Sequence, residues 1–114
     1  MTGALTPDFN KSPAQLAANI LLDIEAIHIR PDDPFTFTSG RLSPVYVDCR
    51  RIISFPRARS ELMKMGVNLL NHEAGVEAFD AVAGGETAGI PFAAWIAEGQ
   101  FSIAFSFYFV LFFD

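Results

Sequence analysis

A short apolar run, a glycine-rich loop and a second apolar run, in that order, constrain this chain more than any other feature. Ala78-Phe79-Asp80-Ala81-Val82-Ala83 leads into Gly84-Gly85-Glu86-Thr87-Ala88-Gly89, and that into Ile90-Pro91-Phe92-Ala93-Ala94-Trp95-Ile96-Ala97. A brief, nearly continuous apolar stretch bounded by turn residues suits a strand buried on both faces, as in a parallel sheet. Pro91 fits the first turn of a helix, where the missing N–H has no partner to lose. Strand, glycine loop and helix in succession predict an α/β domain. The 114 residues give room for one such domain, and 51% of them are hydrophobic, too many for a disordered chain.

The upstream residues predict what flanks this unit. Ser12-Pro13-Ala14-Gln15 reads as a capping box opening a helix, with Leu16, Ile20, Ile24 and Ile27 as its apolar stripe and Pro31 beyond its end. Pro31-Asp32-Asp33-Pro34 is turn chemistry, and its acidic pair reads as a turn and not a metal site. Phe35-Thr36-Phe37-Thr38 and Val45-Tyr46-Val47-Asp48 alternate as strands and predict a hairpin joined through residues 39–44. Ser54 with Pro56 predicts the start of a second helix, which carries Leu62, Met65, Leu69 and Leu70 toward a core and stops at Gly75.

Charge is divided unevenly along the chain. Residues 1–64 hold seven acidic and eight basic side chains, whereas residues 65–114 hold six acidic and none basic. The formal net charge of −5 argues against a general nucleic-acid binder, which needs a basic face for phosphates. The cluster Arg50, Arg51, Arg57 and Arg59 reads as a solvated surface with local pairing. Cys49 is the sole cysteine, so it makes no internal disulfide or thiolate zinc site and reads as a half-buried inert thiol. His28 and His72 read as structural or surface residues. No signal-peptide pattern opens the chain, and a cytoplasmic setting is expected.

The end of the chain changes character. Six of the twelve Phe lie between Phe101 and Phe113. These thirteen residues fall short of the roughly 18–20 that span a bilayer as a helix, so no membrane anchor is expected. Phe101, Ile103, Phe105, Phe107 and Phe109 alternate with smaller or polar residues as a strand would. The other reading is a segment not selected for this fold, such as one translated in a shifted frame. An uncharged run of this kind is also an aggregation hazard.

Two segments carry chemistry. In loop 84–89 the glycines allow an anion to approach the backbone, and the following helix offers free N–H groups, which makes it either a phosphate site or an ordinary strand-to-helix turn. In Thr38-Ser39-Gly40-Arg41-Leu42-Ser43-Pro44, hydroxyls and a guanidinium either meet a charged substrate or form a solvated turn.

With these residues in view, Phe35–Arg50 followed by Ile53–Arg57 resembles the amino-terminal part of orotate phosphoribosyltransferase, of the type I phosphoribosyltransferase family. Val82–Ala97 is similar to that family's first pyrophosphate-binding loop and its following helix. The resemblance covers roughly residues 12–98. It implies a Rossmann-like parallel sheet flanked by helices, with an amino-terminal hood hairpin, incomplete here. It implies transfer of phosphoribosyl from phosphoribosyl pyrophosphate to orotate, giving orotidine 5′-phosphate and pyrophosphate in pyrimidine nucleotide synthesis. Magnesium, a homodimer and small-molecule substrates come with it, and neither nucleic acid nor membrane. The site residues it implies are Thr38, Ser39, Gly40, Arg41, Ser43, Tyr46 and Val47 on the hairpin, and Gly84, Gly85, Glu86, Thr87, Ala88 and Gly89 on the loop.

The chain departs from the family pattern at defined places. Thr38 stands where many members have lysine, and Thr87-Ala88 where many have a tyrosine-lysine pair. After about Gly99 the family's basic catalytic loop and its later acidic pair find no counterpart, since no Lys or Arg follows Lys64. The expected organisation is therefore a leader over 1–11, a partial phosphoribosyltransferase domain over 12–98 and an aberrant apolar tail over 99–114, inactive alone. The alternatives are a non-catalytic phosphate- or nucleotide-binding fragment, another type I phosphoribosyltransferase, or a membrane-associated protein using the tail.

Overall fold

The computed structural model describes residues 10–85 and 87–100. Most of the expected leader, Glu86 and the Phe-rich run 101–113 lie outside the described residues. The chain divides into two compact units, Met1–Arg59 and Ser60–Asp114.

In the first unit, helix α1 spans Pro13–Asp23. Its start is the expected capping box: the Ser12 hydroxyl accepts from the Gln15 N–H at 3.2 Å, and the Ser12 N–H donates to the Gln15 side chain at 2.9 Å. Ile20 and Ile24 of the predicted stripe are fully buried, each a contribution of about 1.5–3 kcal/mol. The helix ends earlier than the periodicity predicts, and Ile27 leaves the stripe to begin a strand. The stop is a left-handed turn at Glu25, φ +57°, in which the Glu25 N–H bonds the Leu22 carbonyl and the Ala26 N–H bonds that of Leu21. That pair of bonds satisfies the carbonyls at the helix end, with a glutamate in the position usually taken by glycine.

Strand β1 (Ile27–Ile29) pairs antiparallel with β4 (Val45–Val47), placing His28 opposite Tyr46. Asp48 N–H to Ala26 O at 2.8 Å and Arg30 N–H to Pro44 O at 2.7 Å extend this ladder at both ends. β2 (Phe35–Thr36) pairs with β3 (Leu42–Ser43) in a separate two-stranded sheet. The predicted hairpin between 35–38 and 45–48 is thus corrected. Phe35–Thr36 turns back on Leu42–Ser43, and the 45–47 strand belongs to the other sheet. The switch sits at Pro44, which has no N–H to continue a ladder. Ser43 fixes it by donating its hydroxyl to the Val45 carbonyl at 2.7 Å and accepting the Val45 N–H at 3.2 Å.

A 3₁₀ helix over Cys49–Ser54 follows. Its Arg51 Nε donates to the Ile24 carbonyl at 2.8 Å, placing a cation at the carbonyl end of α1, where the helix dipole favours it. The same guanidinium lies 5.5 Å from the Phe55 ring centre. Arg59 donates to the Ile53 carbonyl at 2.8 Å. Two members of the arginine cluster are therefore tied to backbone and not simply solvated. Cys49 is exposed where a half-buried thiol was expected, because the strand alternation has ended before it. Ala26, Ile52 and Ala58 complete the buried set of this unit.

Helix α2 (Pro56–Glu73) opens at Pro56, and the Phe55 carbonyl accepts the Arg59 N–H at 2.9 Å. Ser54 stays in the 3₁₀ helix, so it is not the helix cap that the sequence suggested. The stop at Gly75 is as predicted, with φ +85°. In the second unit, the packed face of α2 centres on buried Val67, and Leu69 is 56% exposed instead of facing a core. Two residues on a helix are about 200° apart, so a face through Val67 turns Leu69 outward. Helix α3 (Gly89–Gln100) buries Ala93 and Ala97, one turn apart, and sets Phe92 edge-on to Trp95 at 5.6 Å. It meets α2 where Gly99 faces Val67 and Ile96 faces Gly66.

Val76–Ala78 forms a 3₁₀ turn, and of the strand expected over 78–83 only Val82 takes a β-bridge. A parallel strand needs a neighbour for its ladder, and the described residues of this unit contain no other strand. Both sheets among the described residues are antiparallel. No helix among them is long and apolar enough to cross a membrane.

Glu25→Gly tests the early helix stop. Relief of the left-handed strain outweighs the added freedom of the unfolded chain, and the substitution raises stability by about 0.5–1 kcal/mol in urea titration. An unchanged or lower midpoint counts against the account.

Candidate functional site

One candidate site, in the first unit, is built around Tyr46. Its ring lies 5.6 Å from Phe35, 6.5 Å from Phe37 and 6.4 Å from His28, the last pair stacked. Two open grooves share the Phe35–Tyr46 wall. One, of about 490 Å³, is lined by Phe35, Thr36, Phe37, Thr38, Ser39 and Tyr46. The other, of about 550 Å³, is lined by Ile27, His28, Ile29, Arg30, Phe35 and Tyr46. Arg30 lies over the Phe35 ring at 4.6 Å and is paired with Asp33.

Of the hairpin residues singled out from the sequence, Thr38, Ser39 and Tyr46 share one groove. Gly40, Arg41, Ser43 and Val47 do not line it. Gly40, at φ +84°, makes the turn, with its N–H on the Phe37 carbonyl at 2.8 Å. Arg41 is exposed and its N–H leans on the Ser39 hydroxyl at 3.4 Å. The Ser43 hydroxyl is engaged with Val45, and Val47 alternates to the face of β4 away from Tyr46. The sequence reading missed His28, Phe35 and Phe37 as walls of the site. The Phe-x-Phe alternation held a signal for two of them, but His28 depends on the β1–β4 pairing.

Asp48 and Arg50 follow β4 directly and pair with each other. The Asp48 carboxylate accepts the Arg50 N–H at 3.2 Å and its Nε at 3.0 Å. The hydrogen bond from Arg50 holds the Asp48 carboxyl below its ordinary value of 3.8, and the same bond raises Arg50 above its own. Both groups meet solvent, so the effect on stability is small.

A separate candidate site is loop 84–89, in the second unit. A Cβ on Gly84 would lie 2.1 Å from the Gly89 carbonyl oxygen and 2.9 Å from the Ala93 Cβ, so only glycine lets the loop close on the start of α3. The Gly89 N–H donates to Gly85 O at 2.8 Å, and that of Ile90 to Thr87 O at 3.4 Å. These bonds give the loop its shape. A Cβ on Gly85, by contrast, meets nothing within 4 Å. Thr87 is exposed and Ala88 half-buried, while Glu86 lies outside the described residues. Among the described residues no three His, Cys, Asp or Glu side chains come together as metal ligands.

Comparison with known proteins finds relatives that share one name. Orotate phosphoribosyltransferase of Cereibacter sphaeroides is 60% identical over 85 residues, which are 75% of this chain and 37% of that protein. The Sinorhizobium medicae enzyme of the same name is 55% identical over the same length. Over these 85 residues the chain is similar to the orotate phosphoribosyltransferases. It spans little more than a third of the length of these curated relatives. Among solved structures, Aeropyrum pernix orotate phosphoribosyltransferase matches with a TM-score of 0.59 at 30% identity, over 74% of this chain and 47% of that one. Leishmania donovani UMP synthase matches with a TM-score of 0.60 at 29% identity, over 72% of this chain and 17% of that one. No family model matches. The fold is thus a partial type I phosphoribosyltransferase fold.

Two pairs of variants check the geometry. Gly84→Ala destabilises the chain, because the added methyl meets backbone, whereas Gly85→Ala leaves its stability in urea titration within about 0.5 kcal/mol of the parent. Equal losses in both would contradict the loop as described. For Asp48, the depressed folded-state value means that its stabilisation is present above the ordinary value of 3.8 and disappears as pH falls through the lower folded one. The stability gap between the parent and Asp48→Asn therefore closes below pH 3.8 in acid titration. A gap constant with pH would refute the linkage.

Proposed function

We propose that this chain carries the acceptor and diphosphate-loop half of an orotate phosphoribosyltransferase, acting in pyrimidine nucleotide synthesis in the cytoplasm. The observation that carries this reading is the 60% identity over 85 residues to a protein of that name. In this reading orotate lies in the groove beside Tyr46. The Thr38 and Ser39 hydroxyls donate to its carboxylate or ring oxygens, and the Val47 backbone contributes from the same strand. Thr38 offers a hydrogen bond without a permanent charge, so the groove relies on neutral donors and on the aromatic wall.

Loop 84–89 takes the diphosphate of phosphoribosyl pyrophosphate through its backbone. Transfer builds negative charge on the leaving diphosphate as the ribose carbon becomes cationic, and N–H groups fixed in advance around that charge lower the barrier. Magnesium would add charge neutralisation at the diphosphate when bound, ligated mainly by phosphate oxygens and water. The described residues bring together no ligand set for it. Homodimer formation belongs to the same proposal.

Binding and turnover separate in this sequence. No Lys or Arg follows Lys64, so the mobile cationic groups that would neutralise the transition state are missing from the second half of the chain. Loss of a single such donor typically costs about 100–1000-fold in rate. The purified chain is therefore expected to bind orotate and pyrophosphate at roughly millimolar affinity or better in calorimetry. It is expected to form orotidine 5′-phosphate at least about 100-fold more slowly than a full-length relative. Gly85→Ala weakens pyrophosphate and spares orotate. Absence of heat with either ligand would sink the proposal, and turnover equal to the relative's would sink the separation of binding from catalysis.

A further inference from the structure

The Phe35 ring borders both grooves beside Tyr46, whereas Arg30 lines only the one that holds His28. With Tyr46 at 5.6 Å, the ring forms the partition between them. The Arg30 guanidinium lies over that ring, 4.6 Å from its centre. The guanidinium is itself held in place. Arg30 precedes Pro31, which favours an extended backbone, and its N–H continues the β1–β4 ladder to the Pro44 carbonyl at 2.7 Å. Pro31-Asp32-Asp33-Pro34 then turns the chain, and the Asp33 carboxylate pairs with the same guanidinium. The backbone of Phe35 is fixed separately, by its pairing with Ser43 between β2 and β3. One short segment, residues 30–35, thus supplies the ring, the cation over it and the carboxylate that tethers the cation.

We propose that Arg30, tethered by Asp33, braces the Phe35 ring and so fixes the wall of the neighbouring groove lined by Thr38, Ser39 and Tyr46. Its effect on ligand rests on the reading of that groove as the orotate site. Arg30 does not line that groove and acts through Phe35, so it is a positioning residue. A guanidinium suits the task because it is flat and weakly hydrated and stacks on an aromatic face, whereas an ammonium is a strongly hydrated point charge. The Arg30 side chain is 47% exposed and that of Asp33 82%, so the ion pair alone stabilises little and the brace changes affinity only a few-fold.

The test compares Arg30→Met, Arg30→Lys and Asp33→Asn with the parent chain. Methionine keeps an apolar stem without the cation, and lysine keeps the charge without the flat head. The chain has twelve Phe, so ring-labelled phenylalanine is used, and the Phe35 signal is the one lost in Phe35→Leu. Both Arg30 variants are expected to shift the Phe35 ring signals in NMR and to weaken orotate about two- to fivefold in calorimetry. Asp33→Asn shifts the same signals by a smaller amount. Pyrophosphate affinity and the urea midpoint stay at the parent's values. Phe35 signals that do not move in Arg30→Met would overturn the brace. An Arg30→Lys chain matching the parent would also overturn it, since charge alone would then suffice. Should an Arg30 variant fail to fold, unmoved signals in Asp33→Asn overturn it instead. Signals that move while orotate affinity stays constant would overturn the effect on the groove. If the parent binds no orotate, the acceptor reading falls, and the ring signals of the free chain still decide the brace.

Discussion

The antiparallel ladder between Ile27–Ile29 and Val45–Val47 is the constraint on which the first unit depends. Its hydrogen bonds draw Ile27 out of the helical stripe and require the chain to reverse at Glu25. Once Val45–Val47 is taken by β1, Phe35–Thr36 has to find another partner and folds back on Leu42–Ser43. The same ladder sets His28 across from Tyr46, and so produces the aromatic wall from residues far apart in sequence. Arg51 secures the arrangement by donating to the Ile24 carbonyl at the end of α1, where charge and dipole agree.

In the second unit, the determining constraint is steric. Gly84 and the Gly89 carbonyl approach so closely that any side chain at 84 collides with backbone. The two glycines of the pair therefore have different duties. A side chain at Gly84 would keep the loop from closing, whereas one at Gly85 would meet open space.

Much of this was legible in the residues. The capping box of α1, the buried pair Ile20 and Ile24, the stop at Gly75 and the start of α3 all follow from local chemistry, and all were found where the sequence put them. The family kinship was legible too, through two motifs in order. Pairing was not. Alternation identifies Val45–Val47 as a strand without naming its partner, since every two-residue period looks alike to every other. The phase of α2 was misjudged at Leu69 for a similar reason: several apolar faces fit its pattern, and contact with α3 chose the one through Val67.

By itself, then, the sequence determined which residues can cap, turn, extend or approach closely, because those properties act within a few residues of the chain. It also determined the charge asymmetry, with every Lys and Arg at or before Lys64. Only the tertiary structure decided that β4 joins β1 and not β2, that Glu25 bends the chain, and that His28, Phe35 and Phe37 surround Tyr46. These outcomes depend on competition between segments for the same backbone hydrogen bonds. That competition is settled by which pairings can form together, a property that no single segment contains.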